Sequence, residues 1–439
     1  MNIGRLIGSV SRTGHALGAC ALGVACALGG ALVGQAGAQP AAPANGPRWT
    51  DPGWHALTHA TLIPEPGRIV DDATVVIRNG RIESVEAGGA APEGARVWDC
   101  SGLHIYAGLV ESYLPVDAPK PDRTKPGAHW NSMVTPERSA LDGDGVSKDG
   151  REKLRKQGFT VAMIAPKDGI FQGSGAVVAV GEQKRDGEKP ANVLSPMVFQ
   201  VVSFSTGRGG SGEYPGSKMG SIALIRQTMA DVAWYVQSSG AYRVAPDKNP
   251  RPAKSDAIEA MLTQAPVAFD VSDELDALRA AKIAAEFGRP AIIVGSGTEF
   301  RRLNAIVKLG LPLIVPLAYP EKPKVESPAE RAGVGLRELM TWEAAPSNAA
   351  RLIDAGVRVA ITSSKLPKDQ KFFENLRLAI AAGLTKDQAL AALTTTPAQM
   401  LGLERVIGKV ERGMAANLIV VDDELFEKDR EIRDVWIDG

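Results

Sequence analysis

Seven polar side chains lie at the ends of buried apolar runs: Glu111, Tyr113, Lys167, Asp270, Glu299, Ser364 and Lys365. The runs themselves, in GLVESYL, FTVAMIAP, PVAFDVS, PAIIVGSG and VRVAITSS, are the β-branched kind that builds fully buried strands. Carboxylates and ammonium groups gathered at one sheet end could move protons or hold a charged ligand. Asp270 with Lys365 is either an acid–base pair or a structural ion pair. Ser363 or Ser364 with Lys365 would make a serine–lysine nucleophile, but neighbours on one strand point to opposite faces.

Imidazole is scarce. Beyond residue 38 the histidines are His55, His59, His104 and His129, and none follows. Hydrolytic zinc needs imidazole or carboxylate ligands around an open position. Carboxylates alone would favour calcium or magnesium, and no acidic cluster at ligand spacing is visible. His55 and His59, two strand periods apart, are expected on one face of a strand. His104 is expected to begin a barrel strand, and His129, in PGAHWNS, to lie on a long loop. The glycine-rich STGRGGSGEYPGSKMG (205–220) lacks the Gly-Lys-Ser/Thr order of a phosphate loop. With residues 116–149 it is long enough to form a lid.

The elements that must position these groups form two patterns. WHALTHATLI, the hairpin ATVVIRNGRIESVEA and ARVWDC are short strands, the hairpin turning at Asn79-Gly80. From Leu103 strands alternate with helices, including a long helix over about 217–239, and several helices end in glycine before the next apolar run. The end of the chain returns to β-structure. The expected fold is α/β: a (β/α)8 TIM-like barrel over 103–404 with terminal helices. A small composite β-sandwich over 54–102 and 405–439 is built from both chain ends.

Residues 1–38 read as a signal peptide, with Arg5 and Arg12, an Ala/Gly-rich apolar run and Ala36-Gly37-Ala38 as cleavage site. Export to a periplasmic or extracellular location follows, with no membrane association after cleavage. PAAPANGPRW within 39–53 is a linker. Cleavage removes Cys20 and Cys26, leaving Cys100 as a small buried hydrophobe with no intrachain partner. With 50 basic and 50 acidic side chains the chain is neutral, which argues against nucleic acid as a partner.

The segments VVIRNGRIESV, LHIYAGLVES, SNAARLIDAGVRVAITSS and ALAALTTTPAQMLGLERVIGKVERGMAANLIVVD resemble the amidohydrolase superfamily, of the imidazolonepropionase-like type. The last is the most specific of the four. The resemblance implies a distorted (β/α)8 barrel and metal-dependent hydrolysis of C–N bonds in cyclic or peptide-like amides. It also implies a divalent ion such as zinc, held by His-x-His after the first strand, a lysine after the fourth, histidines after the fifth and sixth, and an aspartate after the eighth. At matched positions this chain has Tyr113 and Pro115, Asp270, Gly295 or Ser296, and Ser363-Ser364. No cofactor is therefore expected. The implied role is a metal-free binding or partner protein, with a small molecule, an intact homologue or another copy as partner. The alternative is a hydrolase using other residues.

Overall fold

The structure, a computed structural model, describes residues 53–181, 185–186, 189–190, 192–207 and 214–439. The signal peptide expected over 1–38, nearly all of the linker, and residues 208–213 of the glycine-rich segment lie outside the described residues.

The chain opens with β1 (Trp54–Glu65), β2 (Arg68–Arg78), β3 (Arg81–Ala87), β4 (Arg96–Asp99) and β5 (His104–Ala107). The barrel strands β6 (Leu109–Val116), β7 (Phe159–Pro166) and β8 (Phe171–Ala179) follow. A two-residue ribbon, β9 (Arg185–Asp186) and β10 (Lys189–Pro190), precedes β11 (Val193–Ser203), β12 (Val267–Asp270), β13 (Ala291–Val294), β14 (Leu313–Pro316) and β15 (Val359–Thr362). The chain closes with β16 (Leu418–Val421) and β17 (Ile432–Trp436).

β1 to β5 join β16 and β17 in one seven-stranded sheet, so both chain ends build it. It folds around its own core of Leu57, Val75, Ile77, Ile105, Leu418 and Val420. Asn79 and Gly80 both take positive φ, 50° and 78°, as the tight turn between β2 and β3 requires. β1 carries a bulge between Leu57 and Ala60, where His59 adopts a φ of 60°. An extra residue there breaks the two-residue period. His55 and His59 therefore do not share the expected face. His55 is buried beside Trp98 and Trp436, whereas His59 points outward and meets Asp72 at 2.8 Å. Cys100 is buried, and burial pushes its thiol up to about 11.

The eight barrel strands run in the order β15-β14-β13-β12-β11-β8-β7-β6. β8 is antiparallel to both neighbours, and every other pairing is parallel. The interior is filled by Val161, Met163, Val177, Phe199, Ile292 and Ile314, and Ala398 of the helix over Thr395–Met400 and Leu401 just after it pack into the same cluster. It is a packed core rather than a pore.

Helices cover the outside: α1 (Lys148–Lys156), α2 (Lys218–Val244), α3 (Asp256–Ala260), α4 (Glu274–Glu286), α5 (Leu303–Val307) and α6 (Pro328–Gly333). They continue with α7 (Leu336–Ala344), α8 (Asn348–Asp354), α9 (Phe372–Ala381), α10 (Lys386–Leu393) and α11 (Thr395–Met400). Side-chain caps start several of them: Ser147, Ser217 and Asp273 each accept a backbone N–H, and Thr385 forms a capping box with Gln388. No helix among the described residues is long and apolar enough to cross a membrane.

The run HIYAGLVESYL is divided at Gly108. Its first half, β5, pairs with β1 and β16 of the seven-stranded sheet, and only β6 enters the barrel. His104 thus begins a strand of the outer sheet, not the barrel strand expected of it. A Cβ on Gly108 would lie 2.2 Å from Thr160 Oγ1, so only glycine allows the two sheets to meet this closely.

Candidate functional site at the barrel mouth

Barrel enzymes and binding proteins use the C-terminal strand ends, and the predicted residues other than Lys167 fall into three groups there. The first sits between β6, β12, β13 and β15. The Lys365 ammonium donates to Asp270 Oδ1, to the Gly295 carbonyl at 3.2 Å and to the Val271 carbonyl at 3.4 Å. It also lies 5.9 Å from the ring centroid of Tyr113, within cation–π range. The Tyr113 hydroxyl donates to the other Asp270 oxygen at 3.1 Å. Burial and the neighbouring carboxylate hold its proton well above the ordinary phenol range. Lys365 reaches this position with a φ of 61°, left-handed backbone that costs a non-glycine residue roughly 1–2 kcal/mol. The side chains of Lys365 and Asp270 are 24% and 22% exposed, so the pair stands at the threshold between core and solvent.

The second group closes the barrel. No backbone ladder joins β6 to β15, and side chains bridge them instead. Ser112 Oγ donates to the Ile361 carbonyl at 2.9 Å. Glu111, wholly buried, accepts from the Ser363 amide at 2.8 Å, the Tyr113 amide at 3.1 Å, and the hydroxyls of Ser363 and Thr362. Burial raises its pKa, while those donors pull in the opposite direction. Thr362 has one hydroxyl proton but three acceptors around it, Glu111 Oε1, the Tyr113 carbonyl and Ser364 Oγ, the last two at 2.9 Å. A protonated Glu111 would resolve this by donating to Thr362, which then donates to the Tyr113 carbonyl. Ser364 is thus part of the seam. Ser363 donates its hydroxyl to Glu111 and Ser364 Oγ accepts from Thr362, whereas the Lys365 ammonium bonds to Asp270 and two carbonyls.

The third group secures the loop after β13. Glu299, fully buried, accepts from Ser296 N at 2.7 Å, Gly297 N at 3.1 Å and Asn348 Nδ2 at 2.7 Å. A Cβ on Gly295 would stand 2.6 Å from Glu299 Oε1. The carboxylate therefore occupies the space that a side chain at 295 would need. Lys167 is separate from all of these, pairing with Asp117 at 2.9 Å on the exposed rim.

Sequence reasoning did not single out Arg138. It is buried, and its guanidinium donates to the carbonyls of Ala118 at 2.7 Å, Pro119 at 3.1 Å, Lys167 at 3.1 Å and Asp168 at 3.2 Å. It ties the ends of β6 and β7 to a stretch that bridges to β8 through Val134 and Ser139. The part of 116–149 expected to form a lid is in this way pinned as a rim. Arginine carries no periodic signal on a loop, so nothing in the sequence marked it. His129 is half-buried against Trp130, accepts from the Asn131 amide at 3.1 Å, and burial lowers its pKa.

These residues do not fit a divalent ion. At the matched ligand positions, Pro115 has no side-chain donor atom, Tyr113 is bonded to Asp270, Gly295 has no side chain, the alternative Ser296 donates to Glu299, Ser363 is held by Glu111, and Ser364 accepts from Thr362. Asp270 already carries an ammonium and a phenol. Among the described residues no three His, Cys, Asp or Glu side chains converge as metal ligands would.

Residues 343–439 match the model of the amidohydrolase family. Among solved structures, the chain is similar to an amidohydrolase from Thermotoga maritima, with a TM-score of 0.69 and 21% identity, covering 88% of this chain and 98% of that one. It is also similar to a prolidase complexed with N-methylphosphonate-L-proline, with a TM-score of 0.50, 15% identity and coverage of 88% and 98%. No curated protein matches the sequence. The chain thus has the fold of the amidohydrolases, and its last quarter carries that family's sequence signature.

Proposed function

We propose that this protein is a metal-free amidohydrolase-fold protein that binds a small molecule or a partner rather than hydrolysing C–N bonds by the family mechanism. One observation carries the reading: the Lys365 ammonium lies among Asp270 and the carbonyls of Val271 and Gly295, at the strand ends where the family would seat a cation. An internal ammonium compensates the polar cavity that a missing dication leaves. It cannot lower the pKa of a bound water as a metal ion does. The other buried carboxylates are committed to structure as well: Glu111 to the seam, Glu299 to the loop after β13, Glu274 to the Thr298 hydroxyl, and Asp276 to Lys218 and Arg279. Ser363 touches Glu111, but a carboxylate shared among backbone and hydroxyl donors is a poor general base. Export, from the leader-like residues 1–38, and association with an intact homologue belong to the same proposal.

The test is metal analysis of purified protein after dialysis against zinc, together with a panel of cyclic and peptide-like amides. Metal far below one equivalent and no turnover are expected. A stoichiometric zinc that survives dialysis would overturn the reading, and zinc-free turnover would shift it to an unfamiliar hydrolase.

A further inference from the structure

Beside the mouth, a groove of about 1100 Å³ runs between α1 and the segment that follows β15. Its size suits a small organic ligand. The lining divides by chemistry. Leu114, Val146, Leu366 and Phe373 supply apolar surface, and Lys153, Lys365, Lys368 and Lys371 supply positive charge. Two of these cations are already engaged, Lys365 by Asp270 and Lys371 by Glu374 at 2.9 Å. Among the described residues Lys153 and Lys368 have no ion-pair partner. The acidic lining residue, Asp117, is held by Lys167 at 2.9 Å. An open groove with an apolar floor, two uncommitted ammonium groups and a neutralised carboxylate selects for one ligand type.

We infer that this groove binds a small organic anion with an apolar body, of the medium-chain carboxylate class. The inference rests on the binding-protein reading above and names its ligand. The apolar body would lie on Leu366 and Phe373 while the carboxylate meets Lys153 and Lys368, whose alkyl stems extend the apolar surface. Lysine contacts of this exposed kind supply selectivity by charge more than affinity, and they weaken with salt.

Titration calorimetry on the full chain tests it with octanoate, octanol and octylammonium as probes. Saturable binding of octanoate is expected, with octanol at least fivefold weaker and octylammonium without measurable binding. Lys153→Glu and Lys368→Glu should each weaken octanoate at least fivefold at low salt, with the difference shrinking at 1 M salt, where the screening length falls to about 3 Å. Lys282→Glu, an equal charge change on the exposed face of α4, should leave binding unchanged. Leu366→Asp should remove it. Equal affinity for octanol and octanoate, indifference to both groove lysines, or no saturable octanoate binding would each overturn the inference. Metal content of the same samples is read separately. Zinc-free protein that ignores octanoate loses only this inference, whereas stoichiometric zinc removes the reading beneath it.

Discussion

Replacing Lys365 with methionine keeps an unbranched side chain one atom shorter and deletes its charge. Asp270 would then keep the Tyr113 hydroxyl at 3.1 Å and lose its counter-ion, while the carbonyls of Gly295 and Val271 lose a donor. Exposed ion pairs contribute up to about 1 kcal/mol, and breaking a buried one costs about 3–5 kcal/mol. With both side chains about one-quarter exposed, the expected loss for Lys365→Met lies between these limits, about 2 kcal/mol. Asp270→Asn should cost a similar amount, because it leaves the ammonium without a carboxylate. The double variant should lose little more than either single one, giving a coupling of about 1–2 kcal/mol in a double-mutant cycle. Lys365→Gly provides an internal control. It also loses the pair but releases the left-handed backbone at φ 61°, which returns roughly 1 kcal/mol. The stability order should therefore be parent, then Lys365→Gly, then Lys365→Met. Denaturant unfolding at pH 7, with slopes confirmed equal across the set, measures each term. Coupling below about 0.5 kcal/mol, the usual additivity error, or a glycine variant less stable than methionine, would refute the reasoning.

Four further outcomes follow from the same geometry. Glu111→Gln keeps the shape of the seam but turns one of its two acceptor oxygens into a donor that faces either the Ser363 or the Tyr113 amide, so a loss of about 2–4 kcal/mol is expected in the same unfolding assay. A carboxyl whose folded pKa is raised binds more protons folded than unfolded above 4.5, so the Glu111 contribution should fall as pH rises from that value and level off above its folded pKa. A stability profile for the Gln variant that keeps this fall would count against the assignment. Gly295→Ala should lower expression and melting temperature, because its Cβ would stand 2.6 Å from Glu299 Oε1, which is held in place by the Ser296 and Gly297 amides and Asn348. Cys100, buried with its thiol near pKa 11, should resist thiol reagents at pH 8 in the folded protein and react once denatured.

Local chemistry made much of this fold legible in the sequence. Asn79-Gly80 announced its turn because two consecutive positive φ values suit few other pairs. The runs FTVAMIAP, PVAFDVS, PAIIVGSG and VRVAITSS announced buried strands, and the resemblance carried in the C-terminal segment falls within the residues matched by the family model. The pairing of Asp270 with Lys365 was legible because both follow barrel strands. What stayed hidden depends on contacts far apart in sequence or on backbone detail. The bulge at His59 shifts a strand face without changing composition, and the division at Gly108 interrupts a run that reads as one strand. The reversal of β8 leaves no mark on an all-buried strand. Glu299 looked like a mouth residue, yet its carboxylate turns back to its own loop and to Asn348. The role of Arg138 is written only in carbonyls that the fold brings around it.

The outer sheet has a consequence for how the chain is made. β5 is completed by β16, and the Tyr106 hydroxyl accepts from the Leu425 amide, 319 positions further along. During synthesis at about 5–20 residues per second, the edge of β5 waits unpaired for tens of seconds. Throughout that interval the strand leading directly into the barrel presents bare amides and carbonyls, a template for unwanted association. Truncations that remove β16 should therefore aggregate rather than leave a smaller soluble barrel.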